Sequence, residues 1–405
     1  MSASLAKMFP RVIGIALIAI ASGFVAVSPA EAKKKGVKVD VMTRNIFLGA
    51  DLGPALAAGN PNAFFEANGE ILREVDLTDF PRRAPILADE IRSKEPDIVG
   101  LQEVALWREA PPDITPALTG VPVATTVTYD FLDLLLDELN EGFYSEGDGY
   151  EEGGYKAVWV QEEFDFEAPA NKNGEPDDGP PGILRNSEIN GRLTMRDVIL
   201  VRVGSGVKVE NASGGHFENL LVVRVANAVD VPVTRGWTQF DATAKKKIKK
   251  GKKKGKKIKK SFRFVNSHFE AFDDETERPS IRALQADELV NGPANAKRAI
   301  IVGDFNSDSP GVKPGDEQAY EVLLNGGLDA PYETGFETRA DLPGSCCVSD
   351  LFIEAPQQFD HQVDHVMTNM GKKAKGLKAK ATGLTQVDGM YGSDHGGVYA
   401  KLKLK

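Results

Sequence analysis

The sequence predicts an α/β fold in which mixed β-sheets carry helices on their outer faces. Two observations lead there. Short apolar or β-branched segments recur between turn signals along the whole chain, with amphipathic helices interspersed among them. Their order also mixes strand–helix–strand crossings with hairpin-like neighbours, so the sheets are mixed. With 405 residues and 41% hydrophobic content, the chain can fill a large core, and nothing in it demands a second one.

The expected strands are Val37–Thr43, Asp97–Gln102, Tyr155–Gln161, Asp197–Val203, Leu220–Val225, Gly236–Ala242, Phe262–Ser267, Ala299–Gly303, Gln362–Met367 and Gly397–Leu402. Each is rich in residues that fit a pleated, half-buried surface. Three helices stand between them. Arg82–Lys94 places Ile86, Leu87 and Ile91 on one side and stops before Pro96. Tyr129–Asn140 carries Phe131, Leu134, Leu135 and Leu139. Ser280–Asn291 opens on a serine cap and ends at Gly292. Two polar stretches read as loops: the acidic Asn171–Gly182 and the lysine-rich block 245–260.

The N-terminus reads differently from the rest. Lys7 and Arg11 precede an apolar run, Val12–Val27, and then Ser-Pro-Ala-Glu-Ala with small residues at Ala30 and Ala32. That layout predicts a secretory signal peptide over 1–32, a mature domain over 33–405, and a secreted or periplasmic location. The run is short for a membrane anchor, since the hydrocarbon core is roughly 30 Å thick. The only cysteines, Cys346 and Cys347, are adjacent, so no disulfide framework supports the fold. They close a ring or stay reduced; the sequence leaves both open.

Formal charge is −10, unevenly spread. Residues 245–260 hold twelve lysines, and Lys372, Lys373, Lys375, Lys378 and Lys380 form a second run. Such a block is either a solvated loop or a surface for an anionic polymer or membrane.

Several strands end at polar residues suited to metal or phosphate chemistry. Val41-Met42-Thr43-Arg44-Asn45 does so, as do Val99-Gly100-Leu101-Gln102-Glu103 and Phe264-Val265-Asn266-Ser267-His268. Ile301-Val302-Gly303-Asp304-Phe305-Asn306 repeats the pattern, and Gly392-Ser393-Asp394-His395 precedes the last strand. Groups at one end of adjacent strands converge on a shared site. A single Glu or Asp there often merely ends a strand, but the repetition points to one site.

Asn45, Leu101-Gln102-Glu103, Ser267-His268, Gly303-Asp304-Phe305-Asn306, Val363-Asp364-His365 and Ser393-Asp394-His395 together resemble the endonuclease/exonuclease/phosphatase superfamily. The resemblance runs from about Val37 to the C-terminus. It implies a deoxyribonuclease-I-like four-layer sandwich, with two mixed sheets face to face, helices outside and a metal site at one edge. It also implies roles. Glu103, Asn45 and Asp394 would hold a hard cation, Mg2+ with Mn2+ and Ca2+ as alternatives, directly or through water. Asp304 would activate water, and Asn306 would bond phosphate or hold Asp304. Asp364 would pair with His395 to stabilise negative charge, and His268 would contact phosphate and stand ready to protonate the leaving group. Arg282 would bind substrate or back the site.

Residue chemistry supports part of this independently. A carboxylate within a strand, like Asp364, is costly unless paired, and His395 is the natural partner. His365 points to the opposite face by alternation and is structural. His216 and His361 match no motif. Gln362 stands where many relatives carry arginine, which leaves the support of Asp364 open.

Four functions follow in order. The first is a secreted phosphodiesterase acting on nucleic acid with little sequence preference. A sphingomyelinase-type phospholipase acting on membrane lipid is second, and a phosphomonoesterase third. A non-catalytic binding protein is last, because every acid, base and metal residue is present. No protein partner is implied.

Overall fold

In the computed structural model, which describes residues 36–144, 149, 151–176, 179–247, 254–273, 276, 278–309, 317–328 and 344–405, two mixed sheets lie face to face between helices. The expected signal peptide and the middle of the lysine block fall outside the described residues. In the first sheet, β1 (Val37–Asn45) pairs in parallel with β2 (Ile98–Gln102) and antiparallel with β15 (Gly397–Leu404). The long β6 (Ile189–Arg202) takes β2 and then β3 (Leu106–Ala110) along one edge, and β5 (Tyr155–Ala170) along the other. At the ends of the sheet lie β4 (Thr126–Asp130) and β14 (Gly376–Thr382). The second sheet runs in the order β13 (Asp364–Thr368), β12 (Ala299–Asp304), β11 (Lys257–His268), β10 (Gly236–Lys247) and β7 (Val207–His216). A separate hairpin joins β8 (Leu221–Val225) to β9 (Val229–Val233).

Side-chain alternation explains the layers. Val37, Val39 and Val41 point one way from β1 and meet Phe240, Phe264, Ile300 and Val302 from the facing sheet. Met42, on the other face of β1, joins Leu87, Ile91, Leu135 and Leu139 from α3 (Phe80–Lys94) and α5 (Phe131–Asn140), and Phe65, Ile71 and Val75 from α2 (Pro61–Leu77). On the far side, Val265, Ile301 and Met367 pack against α6 (Ile281–Asn291) and α7 (Gln318–Asn325). Helix caps set the entries. Asp130 accepts from Leu132 and Asp133 amides, so α5 starts later than the apolar spacing suggests. Ser280 accepts from the Ala283 amide at 3.2 Å, as its position predicts.

All the expected strands and helices are present, several of them longer than expected. One expectation is corrected. The lysine block is not simply a loop, because the β10–β11 ladder continues through Lys245↔Lys259, Lys246↔Ile258 and Lys247↔Lys257. The ladder is already set from Gly236↔His268 onward, and Ile258, opposite Lys246, packs against the core, which carries the pairing into the lysines.

Candidate active site

The strand ends do converge. His268, Asp304 and Asp364 sit opposite one another across β11, β12 and β13, forming one row at the rim of the second sheet. The rim of the first sheet supplies Asn45 and Glu103. The Asn45 amide donates to Glu103 Oε1 at 2.9 Å and to Asp304 Oδ2 at 3.0 Å, joining the two sheets. Its own oxygen accepts from the Phe47 amide, and Glu103 Oε2 accepts from the Leu48 amide at 2.8 Å. Glu103 and Asn306 both take left-handed backbone, φ 58° and 46°, a cost that persists where surrounding structure enforces it.

His395 arrives from the loop before β15. Its Nδ1 lies 2.9 Å from Asp364 Oδ2 and its Nε2 3.7 Å from Asp304 Oδ2. Burial opposes the charged ring, but Asp364, Asp304 and Asp394 outweigh it and hold the imidazole well above its usual range. His268 goes the other way. Burial, the Arg235 guanidinium 3.2 Å from Nδ1, and His395 push it well below that range. In that neutral state His268 can still donate a hydrogen bond to phosphate. Burial raises Asp304 despite the counter-pull of His395, which makes it a better proton acceptor. Asp394 is raised to about 6 by burial, with His395 opposing and Glu103 adding to it.

Of the two places open to Arg282, the hydrogen bonds favour the backing one: its guanidinium donates to the backbone oxygens of Asn306 and Ala271 and so supports the loop holding Asn306. Gln362 donates to the Asp364 backbone oxygen at 2.6 Å. Ser345 Oγ accepts the Asp364 amide at 3.1 Å. His365 lies on the opposite face, stacked on Phe305 and beside Tyr320. His361 pairs with Asp360, and His216 is exposed. Cys346 and Cys347 are joined as a disulfide, and Cys347 Sγ lies 3.6 Å from His395 Nε2.

Sequence reasoning missed the layer beneath. Arg235 precedes Gly236, which pairs with His268, so the hairpin register was the signal that places it there. Glu163 and Asp197 are buried near it, and burial holds both well above the carboxyl range. Their side-chain oxygens have no hydrogen-bond partner among the described residues. Beside them, Gln102 donates to Asn266 Oδ1 at 2.5 Å, and Asn266 donates to the Leu101 oxygen at 3.0 Å. Gly100 makes room, since a Cβ there would lie 2.4 Å from Asn266 Oδ1. Arg83 braces the rim, donating to the Ile46 and Gly392 oxygens.

The site opens into a cleft of about 670 Å³ lined by Phe47, Phe164, Phe272 and Phe352 among others. Carboxylates gathered beside an imidazolium suit metal-dependent phosphoester hydrolysis, and Asp304, Asp364 and His395 lie close enough together to hold an ion. The chain belongs to the Endonuclease/Exonuclease/phosphatase family, whose model matches residues 67–395. No curated protein matches it. Among solved structures it is similar to an endonuclease/exonuclease/phosphatase family protein from Bacteroides thetaiotaomicron, at 15% identity and TM-score 0.46, over 92% of this chain and 99% of that one. It is also similar to the human Nocturnin catalytic domain with bound sulfate, at 15% identity and TM-score 0.45, over 91% and 94%. A mannosyl-6-phosphatase from Bacteroides thetaiotaomicron matches at 16% identity and TM-score 0.44, over 90% and 99%.

Proposed function

We propose that the chain is an exported phosphodiesterase that cleaves its substrate with a water molecule and takes Mg2+ at its rim. The observation behind this is the clustering of Glu103, Asp304 and His395, with Asn45 bridging the two acids at 2.9 and 3.0 Å and His395 3.7 Å from Asp304. The donor set suits a hard cation. Glu103 and Asp394 offer carboxylate oxygen, and they repel one another in a way a divalent charge would relieve; Asn45, its oxygen held by the Phe47 amide, positions Glu103 through its NH2 group instead of offering the oxygen the sequence suggested. Bound there, the ion would supply polarisation of a phosphoryl oxygen and charge for the leaving oxygen.

The chain's own groups do the rest. Asp304 accepts the proton of the attacking water, its orientation fixed by Asn45 and by the Asn306 amide at 2.9 Å. The His395 imidazolium, fixed by Asp364, faces the negative charge that develops on phosphorus oxygens. Neutral His268 and Asn306, whose amide nitrogen lies 3.1 Å from His268 Nε2, stand on the other side as hydrogen-bonding groups.

The favoured substrate is a nucleic acid read without sequence preference. The aromatic faces in the cleft suit stacked, unpaired bases, a sequence-tolerant contact. A second reading, a phospholipase C of the sphingomyelinase type, draws on the rim: Leu77, Phe272, Phe352 and Ile353 are 66%, 40%, 38% and 60% exposed, as an interface-entering surface would need. The test is a panel of plasmid DNA, RNA, sphingomyelin vesicles and a simple diester, with Mg2+ or EDTA. Metal-dependent nicking of plasmid at low salt supports the first reading. Phosphocholine release without nicking replaces it with the second, and silence on every substrate refutes both.

A further inference from the structure

The cleft offers a polyanion little to hold. Among the described residues, Arg235 is the only lysine or arginine lining it, while Asp51, Glu74 and Asp350 line it as acids. The lysines are elsewhere. On the β10–β11 ladder Gly236 faces His268 at the site, whereas Lys247 faces Lys257 at the other end. Eleven residues of strand separate these ends, ~37 Å at ~3.4 Å per residue. Past Ala244, the last residue paired with β7, and past Arg263, where β12 begins, the ladder has no neighbouring strand among the described residues. It forms a two-stranded arm.

On one face of that arm Lys245 stands opposite Lys259 and Lys247 opposite Lys257. All four are exposed, and Lys246 and Lys260 lie on the other face. Like charges directly opposite on a ladder destabilise it. The acids next along it are engaged, Asp241 with Arg263 at 3.1 Å and Glu210 with Lys208 at 2.6 Å.

We infer that this arm is a docking element for duplex nucleic acid, holding its phosphate backbone remote from the catalytic cleft. A two-stranded ribbon fits a major groove about 12 Å wide, and lysines about 7 Å apart on one face can neutralise successive phosphates. Among the described residues of the arm there is no aromatic side chain, and Ile258 packs inward, so these residues present lysines and no apolar wedge of a membrane-entering hairpin. At ~3.4 Å per base pair, a duplex must exceed roughly 11 base pairs to touch arm and cleft together.

The partner assignment rests on the nucleic-acid reading above, but its test does not require turnover. Binding of the intact chain to a labelled duplex of about 30 base pairs is measured in EDTA across a salt series. The comparison is a variant with Lys245, Lys246, Lys247, Lys257, Lys259 and Lys260 changed to Gln, and one with the same six changed to Arg. The Gln variant is expected to bind about a hundredfold more weakly, with a salt slope shallower by about 3 to 5, and the Arg variant to match the parent. With Mg2+, the Gln variant should lose cleavage efficiency on long duplexes and keep it on oligonucleotides of about 8 base pairs. Unchanged binding and slope in the Gln variant overturn the inference, as does binding to anionic vesicles with none to duplex. A chain that binds through the arm yet cleaves nothing leaves the arm standing and sinks the nuclease reading; cleavage with an indifferent arm does the reverse.

Discussion

Asp364→Asn tests the electrostatic core of the site most directly. The Asp364 carboxylate lies 2.9 Å from His395 Nδ1 and is fully buried. At an effective dielectric of about 20, a unit pair at that distance attracts by roughly 5 to 6 kcal/mol. Asparagine keeps the shape and one hydrogen bond but removes the charge. Even half of that attraction, about 2.8 kcal/mol, changes the ratio of charged to neutral imidazole by about a hundredfold. The sign follows from the raised imidazole: the charged form is present below the raised value and lost above it. The parent should therefore hold its rate into alkaline pH, while the variant should lose activity from about the ordinary imidazole range upward. At pH about 8 we expect kcat to fall by roughly a hundredfold or more with KM nearly unchanged, and by less at pH about 6. Hydrolysis of a chromogenic phosphodiester at saturating Mg2+ gives both parameters across pH. A variant profile parallel to the parent's, at any depth, would refute the claim that Asp364 acts by keeping His395 charged.

Other consequences are equally concrete. Asp304→Asn should lower kcat by about a hundredfold or more at all pH values, because no proton acceptor remains beside the water; single-turnover rates with Mg2+ check it. Glu103→Gln should abolish the rise in Tm that Mg2+ gives the parent by linkage, read by calorimetry with and without EDTA. Arg282→Met should lower kcat by about tenfold and leave KM within a few-fold, since the residue holds Asn306 and not substrate; a large KM change with kcat intact would restore a substrate contact. Gly100→Ala should cost about 2 kcal/mol, since its Cβ would lie 2.4 Å from Asn266 Oδ1 and 2.5 Å from Val302 Cγ2. An unchanged melting curve would show that the Gln102–Asn266 bridge shifts freely.

The strands that carry chemistry were legible because each is a buried apolar run ending on a polar residue, as in Ile301-Val302-Gly303-Asp304. What escaped reading lacks that contrast. In β7, Val-Lys-Val-Glu-Asn-Ala-Ser-Gly-Gly-His is polar and glycine-rich at a sheet edge, and in β14 lysines alternate with small residues. The helix α2 was readable in principle: Asn60 caps it, and Phe64, Phe65, Ile71, Leu72 and Val75 share a helical face. Glu163, Asp197 and Arg235 are another matter. Nothing local marks a charged residue as buried, and only the packing of β5, β6 and β10 beneath the rim brings these three together.

Charge segregation shows why neither net charge nor a single basic run can identify the partner. A sum of −10 would argue against a polyanion, and the lysine block read alone would put one in the cleft. The strand register rejects both shortcuts. His268 and Lys257 are the two ends of β11, so the strand that delivers a histidine to the acids also carries the lysines away from them. Acids gathered at one rim can attract a cation, while lysines at the other can hold phosphates without neutralising those acids. The separation follows from one strand's length, and so would any minimum substrate length.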